Sequence, residues 1–427
     1  MRVVLTALLL GASLATPLLA QEAKPPSKKE IKALLEEYLE LDRRDEGTYA
    51  RREAIVAILD QVPLDKPKAV KTWRKELDKL WAKGSKLEKK SGRHYYWEKE
   101  ERGLYYLGGN TSKPKGILIG MHGGGVGSGD ASGPYQSMSA PAKKLDWVGI
   151  FPEVLEKTER GWTDSGTEEW VLDLITDAMR TWDIDPDQVY FSGHSMGGYG
   201  TWLLGSHHAD IAAGLAASAG APTPVYGPDG TIVEIDDGVV PNLRNTRMVV
   251  FQSTDDPRVP PDANQAAVRH VEKMKKRYGG YENFEYREVH DRGHGYPEGG
   301  IGVLLEAIAP ARRNSIPEKL VWQPILPWKS QHYYLYWPQP EMRAIVEARL
   351  ERDSNTLRIL SRANLDDMEI FVDERMFDLE QEIVFVVNGK ETNRGMATPT
   401  LGSLLKSYHG RDMGRQFLAR MPLKPKS

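Results

Sequence analysis

Four segments of this 427-residue chain carry residues that could do chemistry together. Gly193-His194-Ser195-Met196-Gly197-Gly198 follows the apolar run Val189-Tyr190-Phe191 and opens a stretch of helical texture. A G-x-S-x-G sequence between strand and helix is the setting of a nucleophile elbow, a tight turn whose small flanking residues lift the serine hydroxyl above the sheet edge. The helix N-terminus behind it favours negative charge developing there. Upstream, His122-Gly123-Gly124-Gly125 leaves a strand-like run at 116–121, and seven of the fourteen residues in 120–133 are glycine. Backbone N–H groups in such a loop can approach an oxyanion closely. Gly123 and Gly124, with Met196 after the serine, are therefore the expected oxyanion-hole donors. A phosphate-cradling reading fails on the loop's residues: it lacks Gly-Lys-Ser/Thr, and Ser128 stands where G-x-G-x-x-G would need its third glycine.

Two downstream segments supply partners for the serine. Gln252-Ser253-Thr254-Asp255-Asp256-Pro257-Arg258-Val259-Pro260 leaves a strand-like run, and His290-Asp291-Arg292-Gly293-His294-Gly295 leaves another. A serine hydroxyl is a weak nucleophile until an imidazole accepts its proton. A carboxylate fixes the imidazole tautomer and stabilises the imidazolium. The order Ser195, Asp256, His294 is the Ser…Asp…His order of α/β-hydrolases. Asp256 is preferred to its neighbour Asp255 because Asp-x-x-Val-Pro is the fuller pattern. His294 is preferred to His290 because Gly293 and Gly295 open the loop around it. Asp255 and His290 remain the alternates. His207 and His208 lie past the elbow and are expected at the surface. Trp162, Trp170, Tyr135 and Tyr199 flank the motifs, as pocket lining or as ordinary packing. No H-E-x-x-H is present, and neither a metal nor a cofactor is expected.

These segments need a scaffold. From residue 94 strand-like runs (116–121, 148–151, 189–191, 213–217, 248–251, 284–289) alternate with helix-like ones (168–182, 196–205, 302–308). Such alternation implies a mainly parallel sheet with helices on both faces. Ahead of it, Ser27-Lys28-Lys29-Glu30 fits a capping box, and Ile31, Leu34, Leu35 and Tyr38 follow at helical spacing. After about residue 330 short strands dominate, with a hairpin signal at Asn388-Gly389. The expected division is a leader at 1–20, a helical region at 21–92, an α/β-hydrolase domain at 93–330 and a small β-rich appendage at 340–427.

Composition narrows the rest. With 57 Lys+Arg against 60 Asp+Glu the net charge is −3, which gives no basic face for nucleic acid. Cysteine is absent, so disulfides, thiolate metal sites and cysteine nucleophiles are excluded. The first 20 residues, a positive start followed by an apolar run and Ala20, read as a secretory signal peptide. Beyond it no run is long and apolar enough to span a bilayer. The expected product is exported, periplasmic or extracellular.

The chain from about 94 to 315 resembles α/β-hydrolases of the polyhydroxybutyrate-depolymerase, feruloyl-esterase and dienelactone-hydrolase branch, and more distantly the catalytic domain of prolyl oligopeptidases. His122-Gly-Gly-Gly, Trp182-x-Ile184-Asp185-Pro186-x-x-Val189, Gly193-His-Ser-Met-Gly-Gly, Asp256-x-x-Val-Pro and Gly293-His294-Gly295 carry the resemblance. It implies Ser195 as nucleophile, Asp256 as acid and His294 as base. Gln252-Ser253 departs from the His-Gly that relatives often carry ahead of the acid loop. The leading expectation is a secreted serine hydrolase of carboxylic esters, small or polymeric. A serine peptidase and a polymer-targeted esterase with a binding tail are the alternatives.

Overall fold

The computed structural model describes residues 25–158, 160–235 and 238–425; the expected leader at 1–20 lies outside them. Three helices come first: α1 (Lys28–Glu40), α2 (Tyr49–Leu59) and α3 (Pro67–Trp81). The capping box forms. Glu30 N–H donates to Ser27 Oγ (3.3 Å), and Ser27 N–H donates to Glu30 (2.7 Å), which satisfies two donors that a helix start leaves open. Pro67 sits in the first turn of α3, where its missing N–H costs nothing.

The central layer is an eight-stranded, mainly parallel sheet. Its strands are β1 (Gly92–Trp97), β2 (Arg102–Gly109), β3 (Gly116–Met121), β4 (Trp147–Pro152), β5 (Val189–His194), β6 (Gly214–Ser218), β7 (Arg247–Ser253) and β8 (Phe284–Val289), in the order β1-β2-β4-β3-β5-β6-β7-β8. β1 and β2 enter antiparallel; from β4 to β8 all neighbours are parallel. β3 to β6 are buried along nearly their whole length. That is why they read as continuous apolar runs rather than alternating ones.

Helices cover both faces. α4 (Ser132–Lys144) and α8 (Gly302–Ile308) share one core, through Met138, Ala142, Leu304 and Ile308. α5 (Thr167–Thr181), α6 (Met196–His207) and α7 (Asp262–Tyr278) share the larger core on the other face. Each fully buried Leu, Ile or Phe there contributes about 1.5–3 kcal/mol relative to exposure. α4 is not evident from the sequence, because Gly133, Pro134 and Pro141 lie within it. Tertiary burial of Met138 and Ala142 outweighs that weak propensity.

The connectivity places the site. The chain leaves β3 toward β4 on one side and leaves β5 toward β6 on the other. A crevice therefore opens at the carboxyl ends of β3 and β5, where open α/β sheets bind ligands. His122 follows β3 and Ser195 follows β5.

Beyond the sheet, a five-stranded and a four-stranded sheet enclose a separate core that includes Trp322, Tyr334, Trp337, Ile370 and Phe371. The strand Lys319–Trp322 already belongs to this unit, pairing with Val346–Glu351. Asn388 and Gly389 both have positive φ (50° and 81°), the requirement of a two-residue hairpin turn. One short helix of the tail, α9 (Leu401–Lys406), does not join the β core. Leu401, Leu404, Leu405 and Tyr408 instead pack among Leu35, Leu59 and Leu77 of α1 to α3. The N-terminal helices and the C-terminal segment thus share one hydrophobic cluster.

Candidate active site

Ser195 occupies a strained turn. Its φ of 58° and ψ of −124° lie outside the regions that side chains favour, a strain of order 1–3 kcal/mol that the surroundings must hold. Its N–H donates to Ser218 O across the sheet edge (2.9 Å). The flanking glycines follow from close approach. A Cβ at Gly193 would lie 2.2 Å from Gly197 O, and one at Gly197 would lie 2.1 Å from Met121 O. The hydroxyl is thereby lifted toward the end of β3.

The loop after β3 faces it. A Cβ at Gly123 would lie 3.1 Å from Ser195 Cβ and 3.7 Å from Oγ. Among the described residues, no hydrogen bond uses the N–H groups of Gly123, Gly124 or Met196. His122 fastens this loop from beneath. It is 1% exposed, and its Nε2 accepts the Val154 N–H (3.1 Å). Nδ1 must then carry the proton and donate to Gly123 O (2.8 Å). Burial lowers its pKa and keeps the ring neutral. Trp162 Nε1–H donates to His122 O (3.2 Å). The loop therefore rests on a buried network joining the ends of β3 and β4.

The loops that carry Asp256 and His294 meet at the same edge. His294 Nε2 lies 2.9 Å from Ser195 Oγ, and His294 Nδ1 lies 2.8 Å from Asp256 Oδ2. The Asp256 side chain is fully buried. Its other oxygen accepts the N–H groups of Arg258 (2.8 Å) and Val259 (3.0 Å). The Asp-x-x-Val spacing is thus the spacing of a turn that aims one carboxylate oxygen at the histidine. Asp255 faces elsewhere. It accepts from the Ser253 hydroxyl and from Gly293 N–H (3.0 Å), which fastens the acid loop to the base loop. Gln252, the departure from the relatives' pattern, is fully buried and braces the acid loop. Its amide donates to Val259 O (2.8 Å) and accepts from Asn264 (2.8 Å).

Several other residues lie apart from this line. His290 is exposed and pairs with Thr254 Oγ1 (2.8 Å). Asp255, His290 and Asp291 bring ligand atoms within 4.8 Å of one another, but the cluster is exposed, and Ser253, Thr254 and Gly293 already engage it. His207 and His208 are not surface residues. Both are buried, and both bond Glu168 Oε1 at 2.8 Å. α6 is enclosed along its length, so its terminal histidines need a partner, and α5 supplies a buried carboxylate. Trp162 and Trp170 belong to the core, 1% exposed each. Tyr135 packs against Tyr106 and Phe151, and Tyr199 is half-buried.

A cavity of about 330 Å³ opens against the residues that flank Ser195, bounded by Gly123, Pro134, Met138, His194 and Tyr296. The sequence reading does not single out Tyr296 or His194 as walls; their place beside the motifs was the available signal. The His194 ring lies 4.9 Å from that of His294 and 4.4 Å from Tyr296.

Burial also sets a pH dependence. It pushes His194 down to about 4, with His294 adding to the effect, and pushes His208 down to about 4. A histidine depressed in the native state stabilises it above the unfolded pKa near 6.5, and that stability is lost as pH falls toward the folded value. At 1.36 kcal/mol per unit, full loss at His208 is on the order of 3 kcal/mol. Thermal stability should fall between pH 6.5 and 4 with proton uptake on unfolding. Melts across that range check this; a flat midpoint from pH 7 to 4.5 would contradict it.

Neither a family model nor a curated protein matches the chain. Solved structures do. A thermostable esterase aligns over 52% of this chain and 63% of its own, at 18% identity and a TM-score of 0.39. A ferulic acid esterase from the anaerobic fungus Anaeromyces mucronatus aligns over 52% of this chain and 89% of its own, at 13% identity and a TM-score of 0.37. A monoacylglycerol lipase of Paleococcus ferrophilus aligns over 49% and 99%, at 14% identity and a TM-score of 0.34. The chain thus spans less than two thirds of the first of these.

Proposed function

We propose that the protein is a serine hydrolase that cleaves carboxylic esters through an acyl-enzyme. One observation carries this reading: Asp256, His294 and Ser195 form a continuous line of hydrogen bonds that ends beside the unused backbone N–H groups of the Gly123–Gly124 loop and Met196. His294 Nε2 takes the Ser195 proton as Oγ attacks the ester carbonyl. The N–H of Met196 and those of the Gly123–Gly124 loop bind the oxyanion; each such donor is typically worth about 10²–10³ in rate. His294 then returns the proton to the leaving alcohol, and next activates the water that releases the acid.

Export remains the reading of the N-terminal sequence. Among the described residues no helix is long and apolar enough to cross a membrane. A sugar-stacking tail finds little support. Within 340–427 the aromatic residues Phe371, Phe377, Phe385, Tyr408 and Phe417 are all buried.

Assays of p-nitrophenyl acetate beside an Ala-Pro p-nitroanilide separate esterase from peptidase. Turnover of the ester alone is expected. Turnover of the anilide alone would move the assignment to a peptidase.

A further inference from the structure

Away from Ser195, a second cavity of about 680 Å³ opens where the N-terminal helices, the hydrolase layer and the C-terminal segment meet. Lys and Arg outnumber Asp and Glu along its wall, eight to five. Most of the acids are taken. Arg44 holds Asp42 and Asp173, Lys83 holds Glu36, and Arg313 holds both oxygens of Asp412.

Arg43 and Arg415 are less fully matched: besides its contacts below, Arg43 donates to Leu405 O (3.3 Å) and has no carboxylate. His409 Nδ1 donates to Ser407 O (3.0 Å), so its Nε2 is an acceptor. Arg415 Nη2 lies 2.9 Å from that nitrogen and Arg43 Nη1 lies 3.4 Å from it. Two guanidinium groups, one from the segment after α1 and one from the tail, thus converge on one imidazole. Burial and the two arginines keep that imidazole far below its usual range. Among the described residues no carboxylate lies within 4.0 Å of Arg43, and Arg415 has one long ion pair, from Nη2 to Asp210 Oδ2 at 3.7 Å, while the other Asp210 oxygen holds Lys329 (2.7 Å). Arg415 Nε is buried without a partner. Like charges gathered away from water are costly unless an anion joins them.

The rest of the wall includes Trp81, Met179, Ile211 and Trp328. We propose that this cavity binds an organic carboxylate, its charged group on Arg43 and Arg415 and its apolar body against Trp81, Met179 and Trp328. Guanidinium forks match a carboxylate's geometry, and the volume lies within the range of small-molecule sites. The proposal does not rest on the ester-hydrolase reading, and its test uses no turnover.

Titration calorimetry of the full chain with cinnamate, and with cinnamamide as the uncharged isostere, tests it. Cinnamate should bind at least about tenfold more tightly than the amide, and Arg43→Gln or Arg415→Gln should cost at least about tenfold, the size of one lost charged hydrogen bond. Equal affinity for acid and amide, no binding of cinnamate, or unchanged affinity in both folded variants would overturn it. If the variants do not fold, crystals soaked with 4-bromocinnamate decide. Anomalous density beside Arg43 and Arg415 supports the site, and density only beside Ser195 overturns it.

Discussion

Ser195→Ala is expected to lower kcat for p-nitrophenyl acetate by about 10⁴- to 10⁶-fold, as loss of a triad nucleophile does, with KM little changed. The hydroxyl is the only group removed. Alanine has the same backbone constraint at the positive-φ elbow, so the turn and its N–H bond to Ser218 O persist. The cavity and the free N–H groups persist too, and they leave the residual rate over water. Stability should therefore stay within about 0.5 kcal/mol, as for substitutions that touch no packing. Steady-state kinetics beside a thermal melt check both halves. Activity within tenfold of the parent would remove Ser195 from the mechanism.

The second large effect separates two adjacent carboxylates. Asp256→Asn is expected to cost about 10⁴ in kcat, because an amide in that place selects the wrong histidine tautomer. The substituted side chain would keep its oxygen on the N–H groups of Arg258 and Val259, as the aspartate does. Its NH₂ would then face His294 Nδ1, and the ring proton would move to Nε2. That nitrogen, 2.9 Å from Ser195 Oγ, would present a proton where a lone pair is needed. Asp255→Asn retains the oxygen that accepts from Ser253 and Gly293, so its loss should stay below about tenfold, the scale of one neutral hydrogen bond. Matched pH–rate profiles of the two variants check the ranking. A larger loss at position 255 would reverse the acid assignment.

The two positions also mark what sequence can carry. Gly193, Gly197 and the strand runs of β3 and β5 are legible because their reasons are local: close backbone approach, and burial on both faces. The choice between Asp255 and Asp256 depends on where a turn points its N–H groups; Asp-x-x-Val-Pro favours Asp256, and the bonds from Arg258 and Val259 that explain the pattern are visible only in the fold. His207 and His208 mislead for another reason. Their partner Glu168 lies on a different helix, so periodicity along α6 is silent about it. Likewise α9 reads as part of a β tail until α1 to α3 are seen around it. The bracing of the oxyanion loop by His122, Val154 and Trp162 is of the same kind: each residue is unremarkable until the ends of β3 and β4 are neighbours.

The central claim is that Ser195 is a hydroxyl activated as a nucleophile. The most direct measurement is stoichiometric labelling with diethyl p-nitrophenyl phosphate, followed by intact-mass and peptide analysis. The expected result is one diethylphosphoryl group on the peptide containing Ser195, loss of esterase activity in step with labelling, and no label on Ser195→Ala. Label on another residue with Ser195 unmodified, or full activity in a protein labelled at Ser195, would contradict it.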